Sequence, residues 1–587
     1  MSRAASQALD RSRIAPEILS VTRAAPSSPC ARGTAAGALH VPRRTVIRAA
    51  LGLAAAAVLP PRVGAAADPV VPAPHTTWGL DKLPEIDALA PLVHATFQAT
   101  GRTFRLDGRD VTGHLAGRNY HAVFVRDLAT YQEASAFFNP PEALRTPVEA
   151  FLASQAHFAG DPATAGAVSA VIDPTGRYDK ATAVSDEESS VVQAAYAYYQ
   201  AYGGVEWLAQ DISGRTVLDR LTGALAYLRR ARALGGTELL FRAHTTDWGD
   251  AKVGPGPEPT DLAPGDALTV SPYDQAWHYR ALHDLAAMLR AAGRPEPAEA
   301  LLAQAALLRQ QARDLLWLAD RGYYRIHAHL SDWVDPFDLT QTIAISNVLA
   351  LYAGLATPDQ VEPIFSAVAL AAQRAGTDRA GLTLDPPFPA GFFQSRSMTP
   401  GEYQNGGVWD WWGGLQIVSE FEHGRAEAAL AHLQAVGRAW QASGGPYEWF
   451  HLPSRSPQGS PDFTGAAATV AQAVIRGLFG VRLSTRGFSL TPRLGARSGM
   501  LAAIRPGGGR LAVTQTAYPS LLFLDYEVDA GLRGAASVRL PAGWASVVAY
   551  LDGRPLPVTV WAAGRDTYAG TWQVPGGAHT LIVARVD

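Results

Sequence analysis

Cysteine is almost absent from this sequence of 587 residues, which contains only Cys30. A single cysteine cannot form an intramolecular disulfide, and it cannot build a four-thiolate metal site. Cys30 also lies in an N-terminal segment that we expect to be missing from the mature protein. The sequence therefore predicts no disulfide, no thiolate nucleophile and no thiolate metal site in the mature chain.

The chain also lacks an excess of basic charge and a long hydrophobic run. Its formal net charge is −3, so no basic field indicates a nucleic-acid partner. The apolar stretch 49–60 is too short to cross a membrane as a permanent helix. We expect no nucleic acid and no permanent membrane anchor, and the sequence leaves the oligomeric state open.

The N-terminal region has the features of an export signal. Residues 43–48 read Arg-Arg-Thr-Val-Ile-Arg, which is similar to a twin-arginine motif, and the apolar stretch is followed by Ala65-Ala66-Ala67 as a cleavage site. We predict a twin-arginine-type signal over 41–67 and an exported, periplasmic or extracellular, mature protein. Residues 1–40 are expected to be a non-native or disordered extension, and residues 68–84 a linker.

Apolar residues recur with a period of about 3.6 from residue 85 onward, which predicts a helical domain. Alternate connections between the helices are long and rich in Gly, Pro, Asp and Trp, and the others are short. This asymmetry predicts six helical hairpins closed into an (α/α)6 toroid over 85–482, with the functional loops at one end. The alternative is an open helical solenoid. We expect helices near 86–100, 123–138, 145–158, 186–203, 216–232, 272–292, 296–318, 339–354, 358–373, 405–421, 425–441 and 463–478.

The character of the sequence changes after Gly480. Short alternating runs such as 511–516, 521–528 and 547–551 are separated by turn signals at 552–553 and 575–577. We therefore predict a small C-terminal antiparallel β-sandwich over 483–587 in a protein that is otherwise mainly α.

The stretch 401–414 combines three tryptophans, a tyrosine, two carboxylates and two amides. Aromatic faces stack on sugar rings, and amides and carboxylates bind ring hydroxyls, so we interpret this stretch as part of a carbohydrate site. The alternative is an aromatic helix start that only packs the core. Asn405 is a candidate N-cap of the helix that follows.

Glycoside hydrolysis requires two carboxyl groups on opposite sides of the scissile bond, and the long loops offer few candidates. Asp247 and Asp250 flank Trp248, whose indole would raise the pKa of a neighbouring acid through desolvation. Glu448 lies among three aromatic residues. Asp127 follows Arg126 at a helix start and has an ordinary surface pair as its alternative interpretation.

Other chemistries find little support in the motifs. His121 and His451 have no partners at metal-ligand spacing, so the sequence predicts no metal and no cofactor. Neither a Gly-x-Ser-x-Gly element nor a Walker loop is present.

The region from about 85 to 587 resembles the six-hairpin glycosidases. Arg126-Asp127 is similar to the Arg-Asp element of amylo-1,6-glucosidase and glucoamylase-type barrels, and residues 248–254 (Trp-Gly-Asp-Ala-Lys-Val-Gly) are similar to the Trp-Met-Asp-Lys-Met-Gly element of glycogen-debranching-type glucosidases. Residues 403–409 (Tyr-Gln-Asn-Gly-Gly-Val-Trp) resemble an element shared across these barrels. Glu448, with Gly-Ser-Pro at 459–461, resembles the late Glu and Gly-rich loop of processing α-glucosidases.

The resemblance implies a carbohydrate substrate, with Asp250 as general acid, Glu448 as general base and Asp127 in the −1 sugar subsite. It favours an inverting hydrolase acting on an α-glycoside. A disaccharide phosphorylase, a polysaccharide lyase and a non-catalytic glycan-binding protein are the alternatives. The expected substrate-binding residues are Arg126, Asp127, Asp247, Trp248, Glu402, Tyr403, Gln404, Asn405, Trp409, Asp410 and Trp449.

Overall fold

The computed structural model describes residues 75–253, 260–330, 332–393, 398–505 and 509–586. The predicted N-terminal extension and the predicted signal over 41–67 lie outside these described residues, as do residues 68–74 of the predicted linker and Gly254 of the Trp-Gly-Asp element. Among the described residues, no helix has both the length and the apolar character needed to cross a membrane.

Twelve long helices account for the predicted helical domain, and each of the twelve predictions overlaps one of them. Short helices also occur at Pro84–Asp87, Gln155–Phe158 and Val205–Leu208. The twelve are α1 (Leu89–Thr100), α2 (Val125–Ser135), α3 (Pro141–Ala153), α4 (Glu187–Ala201), α5 (Val217–Arg232), α6 (Pro272–Ala291), α7 (Pro295–Leu316), α8 (Ser346–Ala353), α9 (Val361–Ala375), α10 (Asp410–Glu422), α11 (Ala426–Ser443) and α12 (Thr464–Gln472).

Local sequence signals explain why these helices form where they do. In α6, Pro272 occupies the first turn and the Ser271 hydroxyl accepts a hydrogen bond from the Tyr273 N–H at 3.2 Å. Leu282 and Leu285 then recur at helical spacing and are fully buried. Helix α9 ends where Gly376 adopts a left-handed conformation with φ 68°.

The even-numbered helices form a closed ring. Contacts run from α2 to α4, α6, α8, α10 and α12 and return to α2, and the odd-numbered helices lie outside this ring. The connections that lead into the even-numbered helices are the long ones, and those that leave them are short. This is the arrangement expected of an (α/α)6 toroid, because the long loops all reach the same end, at the N-termini of the inner helices.

Short strands that pair with one another lie in the connections between the helices, and all of them are in the long loops except 211–212 and 215–216, which lie between α4 and α5. They are β2 (Gly101–Leu106), β3 (Arg109–His114), β4 (Val123–Phe124), β5 (Val171–Ile172), β6 (Tyr178–Asp179), β7 (Asp211–Ile212), β8 (Arg215–Thr216), β9 (Arg242–Ala243), β10 (Leu268–Val270), β11 (Trp317–Leu318), β12 (Tyr323–Tyr324), β13 (Ala328–His329), β14 (Ile343–Ala344), β15 (Leu384–Asp385), β16 (Tyr447–His451) and β17 (Ser456–Pro461), and they follow β1 (His75–Leu80). The helix domain is therefore richer in strands than the sequence predicts.

The C-terminal region forms a ten-stranded sheet, with the order β1-β20-β21-β22-β26-β23-β24 and with β18, β19 and β25 attached. Its remaining strands are β18 (Arg482–Ser484), β19 (Gly487–Leu490), β20 (Gly499–Ile504), β21 (Arg510–Ala517), β22 (Leu521–Arg539), β23 (Val547–Leu551), β24 (Arg554–Leu556), β25 (Thr559–Ala563) and β26 (Asp566–Arg585).

This sheet differs from the small antiparallel sandwich in three respects. Strand β1 pairs with β20, so residues 75–80 belong to the sheet and not to a free linker. Strands β19 and β22 are parallel. Strand β26 continues through the turn predicted at 575–577, because a bulge opposite it in β22, between Val528 and Arg533, keeps the two strands paired on both sides. With 39% helix and 27% strand, the protein is mixed α and β rather than mainly α.

Candidate active site

A cavity of about 380 Å³ opens among the loops that precede the inner helices. Acidic and aromatic side chains from different loops meet in its wall, which gives it the composition of a polar ligand site. The sequence-predicted residues in its lining are Arg126, Asp127, Trp248, Asp250, Tyr403, Gln404, Trp409 and Glu448.

Glu448 lies on strand β16 and is held by hydrogen bonds on both carboxylate oxygens. The Tyr120 hydroxyl donates to Oε1 at 2.8 Å, and the Ser460 backbone N–H donates to Oε2 at 3.1 Å. The side chain is only 5% exposed. Burial and the nearby Glu448 raise the pKa of Tyr120 far above its usual value, so the phenol stays protonated and remains a donor.

Gly459 explains how the carboxylate of Glu448 can lie flat against the next strand. A Cβ at this position would come within 2.5 Å of Glu448 Oε2 and 2.8 Å of Glu448 Cβ. The residue also has φ 75°, which disfavours any side chain. The Gly-rich loop after Glu448 is therefore needed for a close approach to the carboxylate.

Asp250 enters the cavity from the loop before α6 and accepts a hydrogen bond from Gln404 Nε2 at 2.9 Å. Gly249 makes this contact possible, because a Cβ there would come within 2.4 Å of both Gln404 Oε1 and Thr246 Oγ1. The glycine that replaces a bulkier residue of the glucosidase element is thus matched to Gln404. The two sequence elements at 248–250 and 403–404 form one unit.

Asp127 lies in the first turn of α2 and is almost completely buried. Burial raises the pKa of this carboxyl to about 7; Arg126 opposes the shift, and Glu448 and Asp250 add to it. Its Oδ1 atom has no hydrogen-bond partner within the described protein. Asp127 therefore holds a proton at mildly acidic pH, and it lines the cavity with a carboxyl oxygen that no described protein group satisfies.

Arg126 is not the surface partner of Asp127 that one interpretation of the sequence offers. Its guanidinium is buried and pairs with Asp186, which also accepts a hydrogen bond from the Tyr273 hydroxyl at 2.8 Å. Arg126 holds the pKa of Asp186 below its usual value against the effect of burial. The pair links the start of α2, where Arg126 lines the cavity, to Asp186 at the start of α4.

Asp247, the rival acid, is not among the residues that line the cavity. It is 1% exposed and has φ 82°, and the Ser271 hydroxyl donates a hydrogen bond to its Oδ1. Burial raises the pKa of Asp247 to about 7, against the opposing effect of the hydrogen bond from Ser271. The Asp247 carboxyl therefore stabilises the loop from inside the protein, and Asp250 is the aspartate that can contact a substrate.

Asn405 and Glu402 also lie outside the cavity lining. The Asn405 side chain is buried, donates to the carbonyls of Phe388 and Met398, each at 2.9 Å, and accepts from the Phe388 N–H at 2.8 Å. It fixes the loop and is not an N-cap, because α10 begins at Asp410. Glu402 accepts hydrogen bonds from Thr399 at the protein surface.

Asp410 and Trp449 face away from the cavity as well. Asp410 is buried against Arg379 and accepts a hydrogen bond from Trp440 Nε1 at 2.7 Å. Trp449 lines a separate groove beside α11, although its ring meets that of Tyr403 at 6.0 Å. Consecutive residues of β16 alternate in direction, so Glu448 and Trp449 cannot both face the cavity.

Aromatic side chains form the floor of the cavity and stiffen it. The Trp248 ring packs edge-on against Trp409 at 5.0 Å and Trp412 at 5.2 Å. Tyr403 contacts Trp409 at 5.3 Å and, with φ 47°, adopts a conformation that is uncommon for a side-chain-bearing residue. The lining also includes residues that the sequence motifs did not identify as site residues, among them Tyr120, Phe124, Asp173, Arg177, Asp179 and Phe463.

A second cluster of polar side chains lies in the neighbouring loops. His244, His327, His329 and Asp335 bring their ligand-type atoms within 4.8 Å of one another. Sequence reasoning, which weighed only His121 and His451, missed this group. The His-x-His spacing at 327–329 was the available signal, because alternate residues of an extended segment share a face.

Comparisons with known proteins relate the chain to glycosidases through its fold. Neither the family models nor the curated proteins contain a match to the sequence. Solved structures do match. The GH78 family rhamnosidase of Bacillus sp. GL1 matches with TM-score 0.55 and 15% identity, and the match covers 80% of this chain and 43% of that one. The alpha-L-rhamnosidase of Streptomyces avermitilis complexed with L-rhamnose matches with TM-score 0.54 and 14% identity, and the match covers 87% of this chain and 42% of that one.

The native α-L-rhamnosidase of Aspergillus terreus gives TM-score 0.56 and 14% identity, with coverage of 88% of this chain and 51% of that one. The chain therefore spans about half the length of these enzymes. At such identities the likeness is one of fold, that of the (α/α)6 barrels of these glycosidases.

Proposed function

We propose that the protein is an exported glycoside hydrolase that cleaves α-linked glycosidic bonds of an oligo- or polysaccharide with inversion. One observation carries the proposal: Asp250 and Glu448, on different loops of a ring of helices, line one cavity together with Asp127 and an aromatic floor. Two carboxyl groups reaching a sugar from different loops are the requirement for acid–base glycoside cleavage. The fold shared with rhamnosidases supports the same reaction class.

In this proposal Asp250 protonates the oxygen of the leaving group and Glu448 activates a water molecule. The hydrogen bonds from Tyr120 and Ser460 orient the Glu448 carboxylate, and the bond from Gln404 orients that of Asp250. Substrate entry would displace water and strengthen these electrostatic interactions.

Asp127 has a different role in this proposal. Because its pKa is raised to about 7, the carboxyl can donate a hydrogen bond to a sugar hydroxyl below neutral pH. Asparagine keeps the size and a donor, so Asp127→Asn should retain most of the turnover that Asp250→Asn loses. Such a contrast separates a binding carboxyl from the catalytic acid.

Phosphorolysis is less well supported than hydrolysis. Two arginines, Arg126 and Arg177, are in the cavity lining, and each forms an ion pair: Arg126 with the buried Asp186, and Arg177 with Asp179. A phosphorylase needs an anion pocket, and paired guanidinium groups offer a phosphate less charge. Activity that depends on added phosphate would nevertheless redirect the proposal.

A panel of α-linked glycans and aryl glycosides, including α-L-rhamnosides and α-glucosides, tests the function. The purified protein should release a reducing sugar from at least one of them without phosphate. Asp250→Asn and Glu448→Gln should lower kcat by roughly 10²–10⁴-fold. Asp247→Asn and the surface control Glu362→Gln should remain active. Equal turnover in all four variants would remove this cavity from consideration, and an unsaturated product would indicate a lyase.

A further inference from the structure

Three histidines and one aspartate converge between two of the long loops. Asp335 Oδ1 lies 2.9 Å from His244 Nε2, and Asp335 Oδ2 lies 2.6 Å from His329 Nε2 and 3.4 Å from His327 Nε2. The side chains of His244, His327 and Asp335 are at most 4% exposed. These four side chains lie outside the cavity that Asp250 and Glu448 line, which we call the sugar cavity. A buried polar group of this composition requires its own explanation.

A small three-stranded sheet fixes the positions of the histidines. Strand β10 pairs with β13 on one side and with β9 on the other, and Thr269 opposes both His329 and Arg242. His327 and His329 are two residues apart in the extended segment that includes β13, so their rings share a face. His244 directly follows β9 and meets the His327 ring at 4.1 Å. The backbone therefore sets the geometry in advance.

The hydrogen bonds of His244 favour a cation at the centre. Its Nδ1 lies 3.2 Å from the Thr245 carbonyl oxygen, so that nitrogen must carry the hydrogen in order to donate. In the neutral imidazole this leaves Nε2 as a bare lone pair pointing at the Asp335 carboxylate, which also offers only lone pairs. Two acceptors 2.9 Å apart repel unless a cation lies between them or the fully buried ring is charged.

We propose that His244, His327, His329 and Asp335 bind one divalent transition-metal ion, with Zn²⁺ as the best fit. Three imidazoles and one carboxylate form a tetrahedral donor set that suits Zn²⁺, whereas Ca²⁺ and Mg²⁺ prefer oxygen ligands. The donor atoms, all within 4.8 Å of one another, need only small side-chain rotations to reach metal bond lengths of about 2.0–2.2 Å.

The surroundings have the features of an outer coordination shell. The Thr245 carbonyl fixes the tautomer of His244, and Trp333 Nε1 donates to Asp335 Oδ1 at 3.1 Å. The rings of Phe388 and Phe392 lie 5.9 and 5.6 Å from that of His244 and limit access of water. Such groups orient the ligands and tune the ion.

The site would be structural, because none of its four ligands lines the sugar cavity. It would tie the loop that carries Asp250 to the loop before α8, since His244 lies six residues before Asp250 and the other three ligands lie on the second loop. The proposed metal site does not depend on whether the protein hydrolyses glycosides.

Metal analysis of the full-length purified protein tests the proposal. After chelator treatment and dialysis against Zn²⁺, the wild type should retain about one zinc per chain, and Co²⁺ in its place should give visible absorption bands of a tetrahedral centre. His327→Ala and the near-isosteric Asp335→Asn should each abolish both signals. The surface variant His157→Ala should retain them. Zinc should also raise the Tm of the wild type by a few degrees and leave that of Asp335→Asn unchanged.

Each outcome has a defined meaning. Absence of stoichiometric zinc and of Co²⁺ bands in the wild type would overturn the proposal without reference to any variant. Retention of zinc by a folded Asp335→Asn or His327→Ala protein would place the ion elsewhere. Glycan turnover is not used as a readout, so a failure of the proposed function would not be confused with a failure of the metal site.

Discussion

Replacing Tyr120 by Phe should make the Glu448 carboxylate more basic without changing the shape of the cavity. The phenol donates to Glu448 Oε1 at 2.8 Å, and the Ser460 N–H remains on the other oxygen. A hydrogen bond to a charged group contributes about 1.5–3 kcal/mol. At 1.36 kcal/mol per unit, loss of this bond should raise the pKa of Glu448 by about 1–2 units.

The assay is the pH dependence of kcat/KM on an activated aryl glycoside. A general base must be deprotonated, so the acidic limb of the profile reports its pKa in the free enzyme. In Tyr120→Phe this limb should move to higher pH by about 1–2 units, because the carboxylate loses its donor and takes up a proton more readily. The alkaline limb, which the acid controls, should move much less.

Tyr178→Phe is the matched control. It also removes a phenol that donates to a carboxylate, that of Asp107, but neither residue lines the sugar cavity. Its profile should match the wild type. An acidic limb that stays in place in Tyr120→Phe, or that moves equally in both variants, would show that Glu448 is not the base.

Three further predictions follow from local geometry and from the sequence. Gly459→Ala should lower kcat by at least about tenfold, because the added Cβ would displace the Glu448 carboxylate. Gly444→Ala is the control: Gly444 has φ 79° and no atom within 4 Å of an added Cβ, so this variant should keep its kcat and lose only stability. Burial raises the pKa of Asp284 to about 7, so ionisation of this carboxyl destabilises the fold as the pH rises from about 4 to 7. Relative to the wild type, Asp284→Asn should be more stable by up to about 4 kcal/mol at pH 8 and by little at pH 4. The measurement is the Tm of both proteins as a function of pH. Replacing the arginine pair at 43–44 by lysines should retain the protein in the cytoplasm, and unchanged export would refute the signal.

Signals that are local in sequence predict most of the helical fold. Apolar spacing in stretches such as 282–289 fixes both the helix and its buried face, and loop length alone indicates which end of the ring contains the long loops. The large sheet is less predictable. Strand β1 pairs with β20 more than 400 residues away, and nothing in residues 75–80 by themselves identifies that partner.

The candidate site divides in the same way. Short motifs predict Asp127, Asp250 and Glu448 in one cavity, but not which neighbours face it. Asp410 and Trp449 are residue types suited to a carbohydrate site, but their side chains point away from the cavity. The direction of the Asp410 side chain depends on where α10 begins, and that of Trp449 on the alternation of side chains along β16. The histidine cluster depends on three separate stretches of chain, and only the paired strands β9, β10 and β13 bring them together.

The comparison of Asp250→Asn with Glu448→Gln on two leaving groups tests the central claim most directly. On a glycan whose leaving oxygen needs a proton, both variants should be slower by roughly 10²–10⁴-fold. On an activated aryl glycoside, Asp250→Asn should recover most of its turnover and Glu448→Gln should not, and the wild type should release the product with inverted configuration, followed by NMR. Recovery in Glu448→Gln instead, or release with retained configuration, would contradict the assignment of acid and base.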